Sequence, residues 1–172
     1  MNIFYLDPDP ETCARYHCDK HVLQMIREAA MMLSTTCRLK FGMTDNILYQ
    51  ACYQHHPCTK WTMETYGNFK WLKRLGLGLC DEYTYRYGKV HKTRAVIEAC
   101  IMPLDFVELF PNDPFGSFEI TNRPQCMPED YKDFDPMFAY RNYYLAEKTY
   151  LLKYTRRPVP DWIACMGFGE HK

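Results

Sequence analysis

The feature that most constrains the fold is a long stretch of helical periodicity that begins at about Pro10 and continues to about Arg38. Asp9 is a favourable N-cap and Pro10 fits the first helical turn, so the sequence predicts that a helix begins there. Apolar side chains recur along one side of this helix, at Cys18, Val22, Met25, Ala29 and Met32. A polar stripe follows the spacing i, i+4, i+7 and i+11, at His17, His21, Gln24 and Glu28. We therefore expect one side of the helix to pack while the other presents two imidazoles and a carboxylate.

The rest of the chain predicts an all-α protein with a single compact domain, residues 1–172, of three to four main helices. Residues 1–6 form a short apolar segment that is expected to be a strand or an extended arm. Further helices are predicted from His56-Pro57 to about Tyr87, from Thr93 to about Met102, and, after the cap-and-proline pair Asp135-Pro136, from Phe138 to about Arg156. Residues 103–136 carry six prolines without a sustained period, which predicts a long, ordered and irregular insertion of acidic character. Residues 163–172 are expected to be a mobile tail.

The formal net charge is zero, but the charges are unevenly distributed along the chain. Residues 60–94 hold eight Lys or Arg against three Asp or Glu, whereas residues 98–135 hold two against nine. The basic segment alternates its cations with Trp, Tyr and Phe side chains, a combination that nucleic-acid grooves use to neutralise phosphates and stack bases. The alternative is a cationic helix whose rings face the core.

Nine cysteines without regular spacing and the lack of a long apolar run predict a cytoplasmic protein with reduced thiols that does not enter a membrane. The sequence contains no glycine-rich phosphate loop, no nucleophile elbow and no paired Cys-x-x-Cys motif. These absences argue against kinases, nucleotide-dependent ligases, serine hydrolases and zinc ribbons.

The polar stripe has three interpretations that the residues alone leave open. Glu28 beside Arg27 is suited to acid–base chemistry and to holding an anion, whereas a solvated helix face would carry the same residues. A metal site is the third interpretation, because the spacing i, i+4, i+8 at Cys13, His17 and His21, with Asp19 or Glu28 nearby, suits zinc or manganese. A second loose cluster of ligand types occurs at His55, His56 and Cys58, and neither cluster makes a closed four-ligand set.

The order of these features resembles the phage pyrimidine-dimer DNA glycosylases of the endonuclease V type. In that family an extended segment leads into a helix that carries a histidine and, seven residues later, a glutamate preceded by arginine. The same order occurs here at His21 and Arg27-Glu28. Residues 127–132, Arg157-Pro158 and Trp162 resemble the segments that flank the last helix of the family. The resemblance covers about residues 1–38, 57–88 and 127–162.

This resemblance implies a metal-independent, cofactor-free enzyme that removes a damaged pyrimidine from duplex DNA and nicks the abasic strand. The nucleophile of the family is an α-amine, a group whose pKa of about 7.7–8 leaves a sizeable neutral fraction near neutral pH. The implied catalytic residues are Glu28, as acid or base, and Met1, because Asn2 replaces the threonine that the family exposes. The residues expected to contact substrate or DNA are His17, His21, Arg27, Arg86, Lys89, His91, Lys92, Arg141, Lys153 and Arg157.

Two alternatives from other functional classes stay open at this point. One is a non-catalytic nucleic-acid-binding protein that depends on Lys89, Lys92 and Arg94. The other is a metal-dependent hydrolase or nucleotide-modifying enzyme that uses His17, His21 and Glu28.

Overall fold

Two long helices, α2 (Asp19–Phe41) and α4 (Tyr66–Tyr87), pack against each other at the centre of the fold. The computed structural model describes residues 1–106 and 113–167. The other α-helices in these ranges are α1 (Pro10–Tyr16), α3 (Pro57–Glu64), α5 (Arg94–Ala99), α6 (Pro136–Glu147) and α7 (Asp161–Ala164). No strand occurs in the described ranges, so the prediction of a single all-α domain is confirmed. None of the described helices is long and apolar enough to cross a membrane.

The prediction of one continuous helix from Pro10 to Arg38 is wrong, because the helix is divided into α1 and α2. The chain leaves the helical conformation at His17 and Cys18, whose ψ angles are 132° and 161°, and α2 begins at Asp19. The interruption is stabilised from outside, because the guanidinium of Arg86 donates to the carbonyl oxygens of Arg15 and His17 at 3.0 and 2.9 Å. A single helix would use those carbonyls internally.

Other helix boundaries differ from the predictions in a similar way. The predicted helix from Pro57 to Tyr87 is divided at Thr65, which has extended backbone angles and whose side chain accepts a hydrogen bond from the N–H of Asn68 at 3.1 Å. Helix α5 ends at Ala99, before the predicted Met102. Helix α6 ends at Glu147, and a 3-10 turn at Thr149–Leu151 replaces its predicted continuation to Arg156.

Residues 1–9 form an extended arm that is buried at residues 3–6 and pairs with no strand in the described ranges. Ile3, Phe4, Tyr5 and Leu6 are all at most 7% exposed. The N–H of Leu6 bonds to Cys13 Sγ at 3.3 Å, and the ring of Phe4 stacks on a side chain of α2. The arm therefore fixes the first residues of the chain against α2.

The described part of the insertion packs on α3 and α4, as expected for an ordered segment. The N–H of Gly67 donates to the carbonyl of Ser117 at 3.1 Å. Arg123 lies with its guanidinium 3.8 Å from the ring of Tyr5 and 4.8 Å from that of Trp71. Residues 107–112 of the insertion and residues 168–172 of the predicted tail lie outside the described ranges. Ile163, at the start of that tail, is buried in α7.

Candidate active site

An open cleft of about 550 Å³ lies at the start of the chain, on the exposed side of α2. It is bounded by the first residue of the arm, by the connection before α3 and by the loop after α4. Its lining residues are Met1, Lys20, Leu23, Gln24, Arg27, Glu28, Met31, Tyr53 and His91. Among these lining residues, Glu28 is the one with a carboxylate.

Glu28 is held in a fixed orientation beside the N-terminal amine. Its Oε2 accepts a hydrogen bond from the backbone N–H of Asn2 at 2.7 Å and lies 3.9 Å from the α-amine of Met1. Its Oε1 accepts a hydrogen bond from Gln24 Nε2 at 3.0 Å. The side chain keeps 14% of its surface exposed, so a ligand in the cleft can reach it. A carboxylate and an amine in this arrangement can share the tasks of proton transfer and nucleophilic attack.

The side chain of Met1 is also held in place, by a contact with α3. Thr59, in α3, donates from its hydroxyl to Met1 Sδ at 3.6 Å. Residues 3–6 of the arm are buried, so the amine is carried on a segment whose neighbours are fixed. The position of the amine is therefore set by the packing of the arm against α2 and α3.

Apart from Glu28, the charged side chains that line the cleft are cationic. Arg27 and Lys20 are exposed, and His91 is half-buried. Burial, followed by the charge of Arg27, lowers the pKa of His91 below its usual value of 6.5, so this imidazole is neutral at pH 7. With the terminal amine, the cleft has three cationic groups against one carboxylate, which suits an anionic ligand.

The structure does not bring His17 or His21 into the cleft. His17 lies at the end of α1 and is fully buried, with its Nδ1 2.8 Å from the carbonyl of Cys13. His21 is 6% exposed, stacks on Phe4 at 4.4 Å between ring centroids and bonds through Nδ1 to the hydroxyl of Tyr144. Burial lowers the pKa of His17 to about 4 and that of His21 to about 3, so both rings are neutral core groups. The predicted continuous stripe is wrong because the interruption at His17–Cys18 removes His17 from α2.

Arg86 is also buried, with only 2% of its surface exposed. A contact with DNA would require an exposed guanidinium, so the predicted role of Arg86 in DNA binding does not fit the structure. Its guanidinium donates to Asp19 Oδ1 at 3.0 Å and to Glu82 Oε2 at 3.1 Å. Arg157 binds the same carboxylate from the surface side, with Nη2 2.6 Å from Glu82 Oε1, and lies over the ring of Tyr85. These charges form a structural network that joins α2, α4 and the segment before α7.

The other residues assigned to DNA fall into two groups. Arg141 is engaged within the protein, because its Nε donates to the carbonyl of Leu6 at 2.9 Å and its guanidinium lies 3.5 Å from Asp7. Lys89, Lys92 and Lys153 have exposed side chains, and the first two share a loop with His91. Arg94, named in the binding alternative, is paired with Asp81 and Glu98 at 2.6 and 2.8 Å.

Sequence reasoning missed four cleft residues: Lys20, Leu23, Met31 and Tyr53. The first three lie on α2 at three- or four-residue spacings from Gln24, Arg27 and Glu28, so helical spacing counted in both directions from these residues would have found them. Tyr53 lies in an irregular connection where no period applies. It has a φ of 50° and is 64% exposed at the edge of the cleft.

The predicted metal cluster of Cys13, His17 and His21 does not assemble. Cys13, in α1, faces the arm, and its thiol donates a hydrogen bond to the carbonyl of Phe4 at 3.3 Å. Within residues 1–106 and 113–167, the one grouping of three such ligand types lies elsewhere, at His56, Cys58 and Cys126. The metal-dependent hydrolase based on His17 and His21 therefore has no site in the described structure.

Comparison with known protein families gives a match over the first part of the chain. The model of a family described as pyrimidine dimer DNA glycosylase matches residues 1–95. This range is more than half of the 172 residues and includes every lining residue of the cleft. No curated protein and no solved structure matches the chain.

Proposed function

The chain belongs to the pyrimidine dimer DNA glycosylase family, and from this premise we propose that the cleft removes a damaged pyrimidine from duplex DNA and then cleaves the abasic strand. The observation that carries this proposal is that the α-amine of Met1 lies 3.9 Å from the carboxylate of Glu28, in a cleft that is also lined by Lys20 and Arg27. The family implies DNA as the substrate. The residue roles below are our proposal.

The first step is attack of the neutral α-amine on C1′ of the damaged nucleotide. A bond forms between the amine nitrogen and C1′, and the glycosidic bond breaks, so that the base leaves with the bonding electron pair and takes up a proton. Opening of the sugar then gives an imine between the terminal nitrogen and C1′. Glu28 is placed to accept the proton that the amine loses, because its Oε2 lies 3.9 Å from that nitrogen. It passes this proton to O4′ as the C1′–O4′ bond breaks, so the carboxylate is ionised again for the next step.

The second step is elimination from the imine. Glu28 removes a proton from C2′, and the C3′–O bond breaks with release of the 3′ phosphate. The hydrogen bonds from Asn2 and Gln24 hold the carboxylate for both transfers. Hydrolysis of the imine with water then returns the free amine.

The cations around the cleft suit the DNA backbone. Arg27 and Lys20 line the cleft, and Lys89 and Lys92 are exposed on the loop that carries His91. Lys and Arg side chains that neutralise phosphates position a duplex without reading its sequence. Enzymes that act on a base in a duplex take the nucleotide out of the stack, and Tyr53 offers an exposed ring at the edge of the cleft for stacking.

Borohydride trapping tests the imine directly. We expect the protein, mixed with ultraviolet-irradiated duplex and borohydride, to form a covalent protein–DNA complex, and undamaged duplex to give none. Glu28→Gln should reduce strand cleavage by at least about a hundredfold, within the range lost when a general acid or base is removed. The matched control is Glu147→Gln, which changes an exposed carboxylate outside the cleft lining and should behave as the wild type.

Two results would contradict the proposal at different points. No trapped complex together with no cleavage by the wild type would reject the imine mechanism, and salt-dependent binding without turnover would then favour the non-catalytic alternative. Full activity of Glu28→Gln would reject the assignment of the carboxylate while leaving the reaction in place.

A further inference from the structure

Three metal-ligand side chains converge next to the cleft from distant parts of the sequence. His56 is the N-cap of α3, Cys58 lies in its first turn, and Cys126 lies 68 residues further on, in the insertion. Their ligand atoms all lie within 4.8 Å of one another, and the two sulfur atoms are 3.5 Å apart. The family-matched range ends at residue 95, so Cys126 lies outside it.

The geometry fits a tetrahedral ion better than a disulfide. Zn–S bonds of about 2.3 Å place two thiolates on one tetrahedral ion about 3.8 Å apart, close to the observed sulfur separation. A disulfide requires about 2.05 Å. Two thiolates and an imidazole are a ligand set that Zn²⁺ prefers over Mg²⁺ or Ca²⁺.

The ligands are held by the surrounding structure. Nδ1 of His56 accepts a hydrogen bond from the N–H of Cys58 at 3.2 Å, a bond that a cation on this ring would replace. The N–H of Cys126 donates to the hydroxyl of Tyr140 at 3.1 Å, and its carbonyl accepts from Asn2 Nδ2 at 3.1 Å. Outer contacts of this kind orient the ligands of metal sites.

We propose that His56, Cys58 and Cys126 bind one thiophilic divalent cation of the Zn²⁺ class. Water completes the tetrahedral set. The ion attaches the insertion to the first turn of α3, beside Asn2, whose N–H orients Glu28. Its role is to fix this corner of the cleft, and its binding is independent of the reaction proposed above.

Titration with Co²⁺ and Zn²⁺ tests the site without DNA. Full-length protein, prepared metal-free and reduced, is expected to bind one equivalent of Co²⁺ with a thiolate-to-cobalt charge-transfer band that Zn²⁺ abolishes. Cys58→Ser and Cys126→Ser should each weaken Zn²⁺ binding, measured against a chromophoric chelator, by at least about a hundredfold, the upper end of the loss seen for outer contacts. The matched control is Cys165→Ser, an exposed cysteine in the turn after α7, which should bind as the wild type.

Three results would overturn the proposal: no charge-transfer band, undiminished binding by the cysteine variants, or rapid loss of two thiols to a Cys58–Cys126 disulfide with no metal bound. Folding is followed separately by far-ultraviolet circular dichroism of each variant. Hydrogen exchange of residues 117–127 adds a second readout, since Zn²⁺ should slow it in the wild type and in Cys165→Ser. An unchanged exchange rate in the wild type would also count against the site.

Discussion

Tyr53 combines an exposed ring with a φ of 50°, a backbone conformation that is uncommon outside glycine. Such conformations persist where the surrounding structure requires them and are frequent at functional sites. Base–aromatic stacking contributes about 1–3 kcal/mol per base. We therefore predict that Tyr53→Ala lowers kcat/KM on ultraviolet-irradiated duplex by about tenfold or more.

Two variants make this test specific. Tyr53→Phe keeps the stacking surface and should retain nearly full activity. Tyr150→Ala removes a ring that is 78% exposed but lies outside the cleft lining, and it should behave as the wild type. Equal activity of Tyr53→Ala and the wild type would remove Tyr53 from the substrate site.

The buried histidines predict loss of stability in mild acid. Burial, followed by charges on His17, Lys148 and Lys20, lowers the pKa of His21 to about 3. An unfolded histidine titrates near 6.5, so below that pH the unfolded chain binds a proton that the folded chain does not. The free energy of unfolding therefore falls as the pH falls from about 6.5 toward the folded value, by about 2 kcal/mol between pH 6.5 and pH 5 for each such histidine.

Urea unfolding at pH 7, 6 and 5 measures this dependence. His21→Gln should be less stable than the wild type at pH 7, because it loses the stacking on Phe4 and the bond to Tyr144, but its stability should fall less steeply with acid. The control His55→Gln changes an exposed histidine and should keep the wild-type slope. Equal slopes for His21→Gln and the wild type would show that His21 is not held neutral.

The site could be predicted from sequence only where its residues share a helix or a family pattern. Glu28 and Gln24 lie on one face of α2, as their spacing predicts, and the resemblance identified Glu28 and the terminal amine as candidates. His21 lies on the same helix but faces the arm, and only the packing of Phe4 determines that. Cys126 reaches the first turn of α3 across 68 residues, a separation at which local spacing carries no information.

At the scale of elements, Gly67 determines how the insertion packs on α4. A Cβ at this position would overlap the backbone carbonyl oxygens of Phe118 and Glu119. Backbone atoms cannot rotate away as a side chain can, so Gly67→Ala must displace the insertion. We predict a loss of about 1–3 kcal/mol in the free energy of unfolding, measured in urea, despite the higher helix propensity of alanine.

Gly76→Ala is the matched control for this effect. Its added Cβ would lie 3.1 Å from the terminal methyl of Ile97, which is a flexible side chain. The cost should therefore be smaller than that of Gly67→Ala. The reverse order of the two variants would contradict the proposed packing of the insertion.

The interruption between α1 and α2 depends on Arg86. Removing this guanidinium leaves Asp19 and Glu82 with fewer partners in a buried setting and leaves two backbone carbonyls without donors. Breaking a buried pair in this way costs about 3–5 kcal/mol, so we predict that Arg86→Met lowers the free energy of unfolding by this amount. The control Arg94→Met removes two exposed ion pairs and should cost less than about 1 kcal/mol, also measured in urea.

These contacts explain which helix boundaries could be read from sequence. The starts at Pro10, Pro57 and Pro136 were predicted correctly to within two residues, because a cap followed by proline is a local signal. The interruption at His17 was not, since it depends on Arg86, 69 residues away. Helix ends after α5 and α6 were also placed too late, because apolar side chains continue past them.

At the scale of the whole molecule, the zero net charge conceals two regions of opposite sign. The basic residues are concentrated in residues 60–94 and the acidic residues in 98–135. Several of the cations are already paired within the protein, including Arg86 and Arg94. We therefore expect DNA binding to depend on the cations that stay exposed near the cleft, and its salt dependence would report how many of them contact phosphates.

Each phosphate contact contributes about 0.9 to the slope of log K against log salt for duplex DNA. We predict that changing both Lys89 and Lys92 to Ala reduces this slope by about 2 and weakens binding to damaged and undamaged duplex alike. The control changes Lys60 and Lys70 to Ala, which alters the net charge equally at exposed positions outside the cleft lining. Fluorescence anisotropy at several salt concentrations measures both. Equal slopes for the two double variants would mean that net charge, and not the loop beside the cleft, governs DNA binding.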